Sequence, residues 1–521
     1  MPYRSHGCLR CRQRRVKCDE ARPSCQRCVA RQEVCVGYRD DSDLTFHDET
    51  TKVVQRYKHL DDSSLPQVAI PRRASVGHPI SRSTFRVHNR SFPPEPGFSD
   101  SVKHHDQNDL DNQLALDFMD NFIIRPCDES STPGFLEHLP SLFNEVNVKG
   151  RYALRWAVQA AAFANLSGRG GSGHFETKAL ESYGHSLVAL ERSLAKQGKQ
   201  PDDYDLMTVV MLDIFESLFL PDETLRGSHA QGMAHILRLR GHHQFYEPRA
   251  WGLFRLAHHR LQKERLAKHF SPLPESQDWI NALDDDASFS RLEKGALRIS
   301  EVCVKARMLL QQLTSYTSSS EEVLQLVREM YCLDQEVSEW RRRPEWSFKT
   351  VSRSEISSEA EVSNHLPERV EIHRDIWMAY EWNYHRTARL ILHQQLLQCL
   401  EKLASSSSTI ESGHLDSQIA CWMERSVSTI HTLADQVLAT VPQSLGNVNS
   451  LGQYRRNRTA QSSHRAIGAY LLLWPIRVIG SETSRAAERQ IRSAVVVLDG
   501  IREHTGMKSH LGTLSTNIAN I

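Results

Sequence analysis

The N-terminal 35 residues contain a cysteine pattern that repeats once. In each half, two residues separate the first cysteine from the second, and six separate the second from the third. Another six residues separate the halves, so every cysteine recurs 17 positions later. The six positions are Cys8, Cys11, Cys18, Cys25, Cys28 and Cys35. Six cysteines so close together in sequence predict a small, compact unit in which their thiols lie near one another. This pattern limits the possible folds more than the overall composition does.

Closely spaced thiols with no histidine at ligand spacing predict tetrahedral zinc sites. One Zn²⁺ takes four ligands and leaves two of the six thiols out, whereas two ions need eight metal–sulfur bonds. Two cysteines must therefore bridge both ions, and the symmetric choice is Cys8 with Cys25. The two ligand sets are then Cys8, Cys11, Cys18, Cys25 and Cys25, Cys28, Cys35, Cys8. Such a site has no open position for water or substrate, which favours a structural metal over a hydrolytic one.

Two other interpretations use the same cysteines. A disulfide framework requires an oxidising compartment, and the opening residues, Met-Pro-Tyr-Arg-Ser-His, contain no apolar run of the secretory type. A zinc cluster that binds another protein needs no basic surface. The sequence therefore favours zinc, and the charges around the cysteines bear on whether DNA or protein is the partner.

The basic residues are concentrated in the first half of the repeat. The six residues between Cys11 and Cys18 read Arg-Gln-Arg-Arg-Val-Lys, whereas the matching gap in the second half balances Arg31 with Glu33. Ten basic and four acidic residues give the first 40 positions a net charge of +6, while the whole chain carries +1. This local excess is typical of a phosphate-binding module, and the remainder of the chain is not a nucleic-acid surface.

The stretch resembles the fungal binuclear zinc-cluster, or Zn(2)-C6, DNA-binding domain of transcription factors. The features that match are the cysteine spacing, the basic run before Cys18, Pro23 ahead of Cys25, and Gly37-Tyr38 after the last cysteine. The resemblance implies that a short helix beginning at Cys11 enters the major groove and reads a CGG-type triplet. It also implies a nuclear regulator of RNA polymerase II transcription that holds two zinc ions.

The resemblance further assigns roles to the four basic residues. Arg15 is the expected base reader, with Arg14 and Lys17 beside it, and Arg12 is expected on the DNA backbone. The arginine fork is suited to guanine because it bonds O6 and N7 together.

A polar segment separates this domain from the rest. We predict a DNA-binding domain at residues 1–40, a flexible linker at 41–108 and a helical domain at 109–521. The linker contains no heptad run for a coiled coil, so monomeric binding and a homodimer formed through the helical body both stay open. Ser75 follows Arg72 and Arg73 and matches a basophilic kinase site, which is a chance match in many Ser-rich linkers.

Beyond residue 109 the apolar residues recur three and four apart, which predicts a large all-α regulatory domain in a mainly α protein. Strand alternation is essentially absent, and residues 350–363 are predicted to be a loop. A looser resemblance to the fungal regulatory region covers residues 235–241 and 251–260. The main predicted helices are Asn112 to Ile124, Arg151 to Leu166, Tyr204 to Leu220, Arg291 to Leu313, Glu321 to Arg343, Glu371 to Leu403, Leu415 to Leu438, Ser463 to Ile479 and Ser484 to His504.

The predicted body offers little catalytic chemistry. It lacks the metalloprotease, nucleophile-elbow and dinucleotide motifs, so we expect no enzyme. Adjacent histidines, such as His258-His259, point about 100° apart on a helix, which favours core or surface roles over a shared metal ion. The apolar stretch at 466–480 is too short to span a membrane. An aromatic set could line a ligand pocket or be plain core, and it comprises Trp377, Tyr380, Trp382, Tyr384, Tyr470 and Trp474.

These observations predict a sequence-specific DNA-binding transcription factor in the nucleus. Its partners would be double-stranded DNA and the transcription machinery or co-regulators. The alternative is a zinc-containing co-regulator or adaptor that contacts only proteins.

Overall fold

The structure is a computed structural model, which divides the chain into two compact units, Met1–Glu49 and Thr50–Ile521. In the first unit it describes residues 8, 11, 16, 18, 19, 21, 24–31 and 35. In the second unit it describes residues 103–125, 134–149, 151–168, 173–195, 199–219, 228–282, 288–313, 320–339, 344–356, 365–406, 413–453, 465–505 and 507, which we call the body. The predicted kinase site and most of the predicted linker lie outside these ranges.

Cysteines form the core of the described part of the N-terminal unit. The buried members of its one apolar cluster within the described residues are Cys8, Cys11, Cys25 and Cys28. Val16 and the two half-buried cysteines pack against them. A single helical turn, α1 (Gln26–Val29), follows Cys25. The described part of the unit therefore holds together through sulfur atoms rather than through aliphatic side chains.

The body is almost entirely helical, as the sequence predicts. Its first helices are α2 (Lys103–Phe122), α3 (Leu139–Lys149), α4 (Tyr152–Gly168), α5 (Gly173–Leu194), α6 (Asp203–Phe219), α7 (Ser228–Arg240), α8 (Pro248–Ala267) and α9 (Ser276–Asn281). The later ones are α10 (Ser288–Leu313), α11 (Ser320–Glu339), α12 (Arg353–Ile356), α13 (Ile376–Ser406), α14 (Gly413–Ala439), α15 (Val441–Ser444), α16 (Arg465–Gly480) and α17 (Glu488–Thr505). Short 3₁₀ turns cover Gly241–Phe245 and Pro344–Trp346.

Helix α4 lies at the centre of the larger apolar cluster. Its small residues, including Ala157, Ala160 and Ala161, are fully buried and let neighbouring helices approach closely. Helices α5 and α6 both pack against it. Asp202 caps the start of α6, since its carboxylate accepts hydrogen bonds from the backbone N–H groups of Tyr204 and Asp205, both at 3.1 Å.

The long helix α13 joins this cluster to a second one formed with α10, α11 and α14. Both of its faces are buried, so it is surrounded by other helices. Nearby, α16 crosses α15 at Gly468, where an added Cβ would lie 1.8 Å from the Ser444 carbonyl oxygen. Only glycine permits this approach of the two backbones.

A small hairpin differs from the sequence prediction. Strands β1 (Lys349–Ser352) and β2 (Arg369–Ile372) pair antiparallel, with Lys349 opposite Ile372. Part of the predicted loop at 350–363 is therefore strand. Glu371, predicted to be helical, lies in β2, and α13 begins five residues later at Ile376. The buried Glu371 carboxylate lies 2.8 Å from the Arg386 guanidinium, which satisfies its charge inside the protein.

The adjacent histidines occupy the predicted core and surface positions. His258 and His259 are buried on α8, and His242 and His243 are exposed. Among the described helices, none combines the length and apolar character needed to cross a bilayer.

Candidate metal centre

The repeated cysteines come together in two groups of four. In each group the Sγ atoms all lie within 4.8 Å of one another. Cys8 and Cys25 belong to both groups. The members are Cys8, Cys11, Cys18 and Cys25 in one group, and Cys8, Cys25, Cys28 and Cys35 in the other. This is the arrangement that ligand counting requires of six sulfurs around two tetrahedral ions.

The shortest distances converge on the two shared sulfurs. The Sγ atoms of Cys8 and Cys25 are 3.7 Å apart. Cys28 Sγ lies 3.8 Å from Cys8 Sγ, and Cys11 Sγ lies 3.7 Å from Cys25 Sγ. Sulfur atoms that share one tetrahedral zinc at about 2.3 Å are separated by roughly this distance. The thiol-only donor set therefore fits two zinc ions in geometry and in softness.

Backbone hydrogen bonds repeat with the sequence. The N–H of Cys11 donates to Cys8 Sγ at 3.4 Å, and the N–H of Cys28 donates to Cys25 Sγ at 3.3 Å. Each first cysteine of a half thus accepts from the residue three positions later. Such bonds lower the free energy of ionising the bridging thiol, because they stabilise negative charge on the sulfur that binds both metals.

Burial alone opposes ionisation of these thiols. It raises the pKa of Cys11 to about 12, and it also raises the pKa of Cys28. A coordinating metal ion reverses this balance, since its charge removes the thiol proton. Metal binding and folding of this unit are therefore coupled.

Asp19 joins the two halves and was not singled out by sequence reasoning. Its carboxylate accepts hydrogen bonds from the backbone N–H groups of Gln26 at 3.0 Å and Arg27 at 3.4 Å. The bond from Gln26 is the main cause that lowers the pKa of Asp19. Asp19 directly follows Cys18, which belongs to one four-sulfur group, and it caps α1, which contains Cys28 of the other group. The cap therefore connects the two metal sites. The sequence signal was an acidic residue seven positions ahead of the helix.

The four predicted DNA-contacting residues, Arg12, Arg14, Arg15 and Lys17, lie outside the described residues. The structure describes the positions around them. The Val16 N–H donates to the Cys11 carbonyl oxygen at 3.1 Å, and Val16 packs against the cysteine core.

Comparison with known families decides what this centre is. The family model described as fungal Zn(2)-Cys(6) binuclear cluster domain matches residues 6–44. The chain carries a fungal Zn(2)-Cys(6) binuclear cluster. The predicted cofactor, two zinc ions, is therefore confirmed. The predicted resemblance to fungal zinc-cluster transcription factors is also confirmed, and the matched residues do not extend into the predicted regulatory domain.

Two curated fungal proteins are similar to short parts of the chain. Oleate activated transcription factor 3 of Kluyveromyces lactis is 43% identical over 60 residues, which is 12% of this chain and 8% of that protein. White-opaque regulator 2 of Candida albicans is 53% identical over 38 residues, 7% of this chain and 8% of that protein. The chain thus spans about a twelfth of the length of these two relatives.

A longer similarity extends beyond the Zn(2)-Cys(6) cluster. Transcription factor dbaG of Emericella nidulans is 23% identical over 395 residues, which is 71% of this chain and 83% of that protein. A match of this length reaches into the helical body. No solved structure matches the chain significantly.

Proposed function

We propose that the chain is a nuclear, sequence-specific DNA-binding transcription factor whose zinc cluster reads a CGG-like triplet. The observation that carries the proposal is the pair of four-sulfur groups sharing Cys8 and Cys25, in a stretch with a net charge of +6. A full ligand set leaves no catalytic position, so the metals act by folding the module. The names of all three relatives, two transcription factors and a regulator, support the same class.

The proposed base reader is Arg15. An arginine fork that bonds guanine O6 and N7 supplies about 1 to 3 kcal/mol of discrimination against a wrong base. Arg14 and Lys17 flank it, and Arg12 contacts phosphate. A phosphate contact adds affinity for every sequence alike and contributes about 0.9 to the slope of log K against log salt.

These roles separate in a binding selection with a randomised duplex pool. Arg15→Ala is expected to relax preference within the triplet, at a cost of about 1 to 3 kcal/mol for the preferred site. Arg12→Ala is expected to weaken all duplexes about equally and to reduce the salt slope by roughly one contact. Arg31→Ala, in the charge-balanced second half, is the matched control and should leave the selected sequence unchanged. Unchanged preference with Arg15→Ala would refute the base-reader assignment.

The same selection tests the alternative adaptor role. A full chain loaded with zinc that enriches no sequence and shifts no duplex would favour an adaptor that contacts only proteins. The selected half-site arrangement also reports the oligomeric state, because paired half-sites require two DNA-binding modules. A homodimer through the body predicts paired triplets, whereas a monomer predicts one. We propose that the body contacts co-regulators or the transcription machinery.

A further inference from the structure

The first turn of α7 meets the last turn of α6 through a buried pair of ionisable side chains. The Nε2 atom of His229, the second residue of α7, lies 2.9 Å from Oε1 of Glu216. The side chain of Glu216 is 1% exposed and that of His229 is 12% exposed. Water has little access to either group, so each depends on protein atoms to compensate its charge.

A tyrosine from α5 bonds to the same carboxylate oxygen. The Tyr183 hydroxyl donates to Glu216 Oε1 at 2.5 Å, and the Tyr183 ring meets the His229 ring edge to face at 6.4 Å. Burial, together with the charge of Glu216, raises the pKa of Tyr183, so this hydroxyl stays a neutral donor. A neutral donor solvates the carboxylate but does not cancel its charge. The positive charge in this contact therefore comes from protonated His229.

The other charged groups close to this contact leave that balance intact. Asp213, one turn before Glu216 on α6, adds a second negative charge that acts on His229. The Asp213 carboxylate accepts a hydrogen bond from Nε of Arg260, on α8, at 3.0 Å. Among the described residues, His229 is thus faced by Glu216 and Asp213, with Tyr183 from α5 and Arg260 from α8 bonded to those two carboxylates.

These surroundings favour the protonated imidazole. Burial lowers the pKa of a histidine, but here the two carboxylates outweigh burial and raise the pKa of His229 above its ordinary value of 6.5. The folded body therefore holds this proton more tightly than the unfolded chain does. It follows that the pair contributes its full stability below about pH 6.5 and loses it as pH rises through the raised pKa.

We propose that the contact between His229 and Glu216 makes the docking of α7 sensitive to pH. In mildly acidic conditions the protonated histidine holds the first turn of α7 against α6. Loss of the proton leaves the Glu216 carboxylate buried without its counter-ion. Local opening of this turn admits water to the carboxylate and removes that cost.

The opening is confined to the start of the helix. Further along α7, Met233 and Leu237 are fully buried in the main apolar cluster. At its end, Nη2 of Arg240 donates to the Asp203 carboxylate of α6 at 2.6 Å. These contacts involve no histidine, so the second half of α7 stays docked at either pH.

The test compares the zinc-loaded full chain with His229→Gln at pH 6 and pH 8.5 by hydrogen–deuterium exchange. The amides of residues 232–235 bond to the first turn of α7, and their rates are divided by the intrinsic rate at each pH. In the unsubstituted chain their protection is expected to fall by about threefold or more between the two pH values, as a pKa shift of half a unit requires. Glutamine carries no charge, so His229→Gln should show equal protection at both.

His235→Gln is the matched control on the same helix, because burial and the charge of Arg238 lower the pKa of His235. Its effect on the Tm should have the opposite sign. Relative to the unsubstituted chain, His235→Gln gains stability toward pH 6, whereas His229→Gln loses most stability there.

Two results would overturn the proposal: equal protection of the first turn at both pH values in the unsubstituted chain, or the same fall in His229→Gln. If His229→Gln loses the helical circular dichroism of the body, Glu216→Gln replaces it. That variant removes the main charge that retains the proton, and an unchanged fall in protection there has the same meaning.

Discussion

The Sγ atoms of Cys8 and Cys25 lie 3.7 Å apart although the two residues are 17 positions apart in the chain, and both atoms belong to both four-sulfur groups. The two metal sites are therefore not independent. A change at either shared sulfur reaches both ions, whereas a change at Cys11 or Cys35 directly removes a ligand from one ion.

The first prediction concerns zinc stoichiometry. Cys25→Ser in the full chain is expected to lose both ions, because the hydroxyl replaces a thiolate common to the two sites. Cys11→Ser is expected to retain about one zinc per chain. Metal analysis after gel filtration measures the difference. Cys421→Ser changes an exposed cysteine of the body and should keep both ions. Equal zinc loss in Cys25→Ser and Cys11→Ser would contradict the bridging assignment.

The second prediction concerns metal removal. The body's two main apolar clusters contain no cysteine of the repeat. A strong zinc chelator is therefore expected to abolish DNA binding while the helical circular dichroism and the Tm of the body remain nearly unchanged. Adding zinc back under reducing conditions should restore DNA binding. A large loss of helix on chelation would show that the metals also stabilise the body.

A third prediction follows from the Asp19 cap. Asp19→Ala removes the acceptor for the Gln26 and Arg27 N–H groups and is expected to speed zinc release to a chelator. Asp19→Asn keeps an acceptor oxygen without the charge and should restore most of the slow release. Zinc release followed with a metal-sensitive dye measures both variants. If Asp19→Asn releases zinc as fast as Asp19→Ala does, then the negative charge of Asp19 slows zinc release and the hydrogen-bond cap does not.

The fourth prediction concerns a buried carboxylate in the body. Glu293 accepts from His259 Nδ1 at 2.6 Å and lies 3.1 Å from His258 Nδ1. Burial alone would raise its pKa, but the two histidines outweigh burial and lower the pKa of Glu293 to about 2. Relative to its ordinary pKa near 4.5, this shift corresponds to roughly 3 kcal/mol of stability.

Glu293→Gln is therefore expected to lower the free energy of unfolding by about 3 kcal/mol near pH 5. The deficit should shrink as pH falls from about 4.5 toward about 2, because only the ionised carboxylate is stabilised by the two histidines. Urea unfolding at several pH values measures it. Glu336→Gln, which breaks an exposed ion pair with Arg298, should cost less than about 1 kcal/mol.

The fifth prediction tests the crossing of α15 and α16. Gly468→Ala places a Cβ 1.8 Å from the Ser444 carbonyl oxygen and 2.8 Å from its carbon. Because both obstacles are backbone atoms, the helices must separate, at a cost of about 1 to 3 kcal/mol. Gly232→Ala, on α7, meets no atom within 4 Å and should raise the Tm slightly. Equal Tm changes for the two variants would refute the close approach.

The helices and the metal centre were largely accessible from sequence because their signals are local. Tyr204 to Leu220 was predicted as a helix and spans Asp203–Phe219, since Asp202 marks its start and apolar residues continue to its end. The cysteine grouping was predicted by comparing the eight metal–sulfur bonds that two tetrahedral ions need with the six sulfurs available. Both inferences need only residues close together in the chain.

The hairpin and the contact between Arg260 and Tyr470 could not be predicted because they depend on residues far apart in the chain. Glu371 lies in a segment whose residue pattern predicts helix, whereas in the structure it lies in β2 and its carboxylate pairs with the buried Arg386 guanidinium. Arg260 and Tyr470 meet across 210 positions of sequence. Neither contact leaves a periodic pattern, so a single sequence carries no sign of it.

In the N-terminal unit, the residues that form the core differ from those proposed to contact DNA. Among the described residues of this unit, the buried side chains are metal ligands. Substitutions between the cysteines are therefore expected to cost little in folding, except at positions that pack on this core, as Val16 does, or cap its helix, as Asp19 does. On the DNA-reading role proposed above, a lineage that keeps the six cysteines can change its DNA target through the remaining positions, one residue at a time.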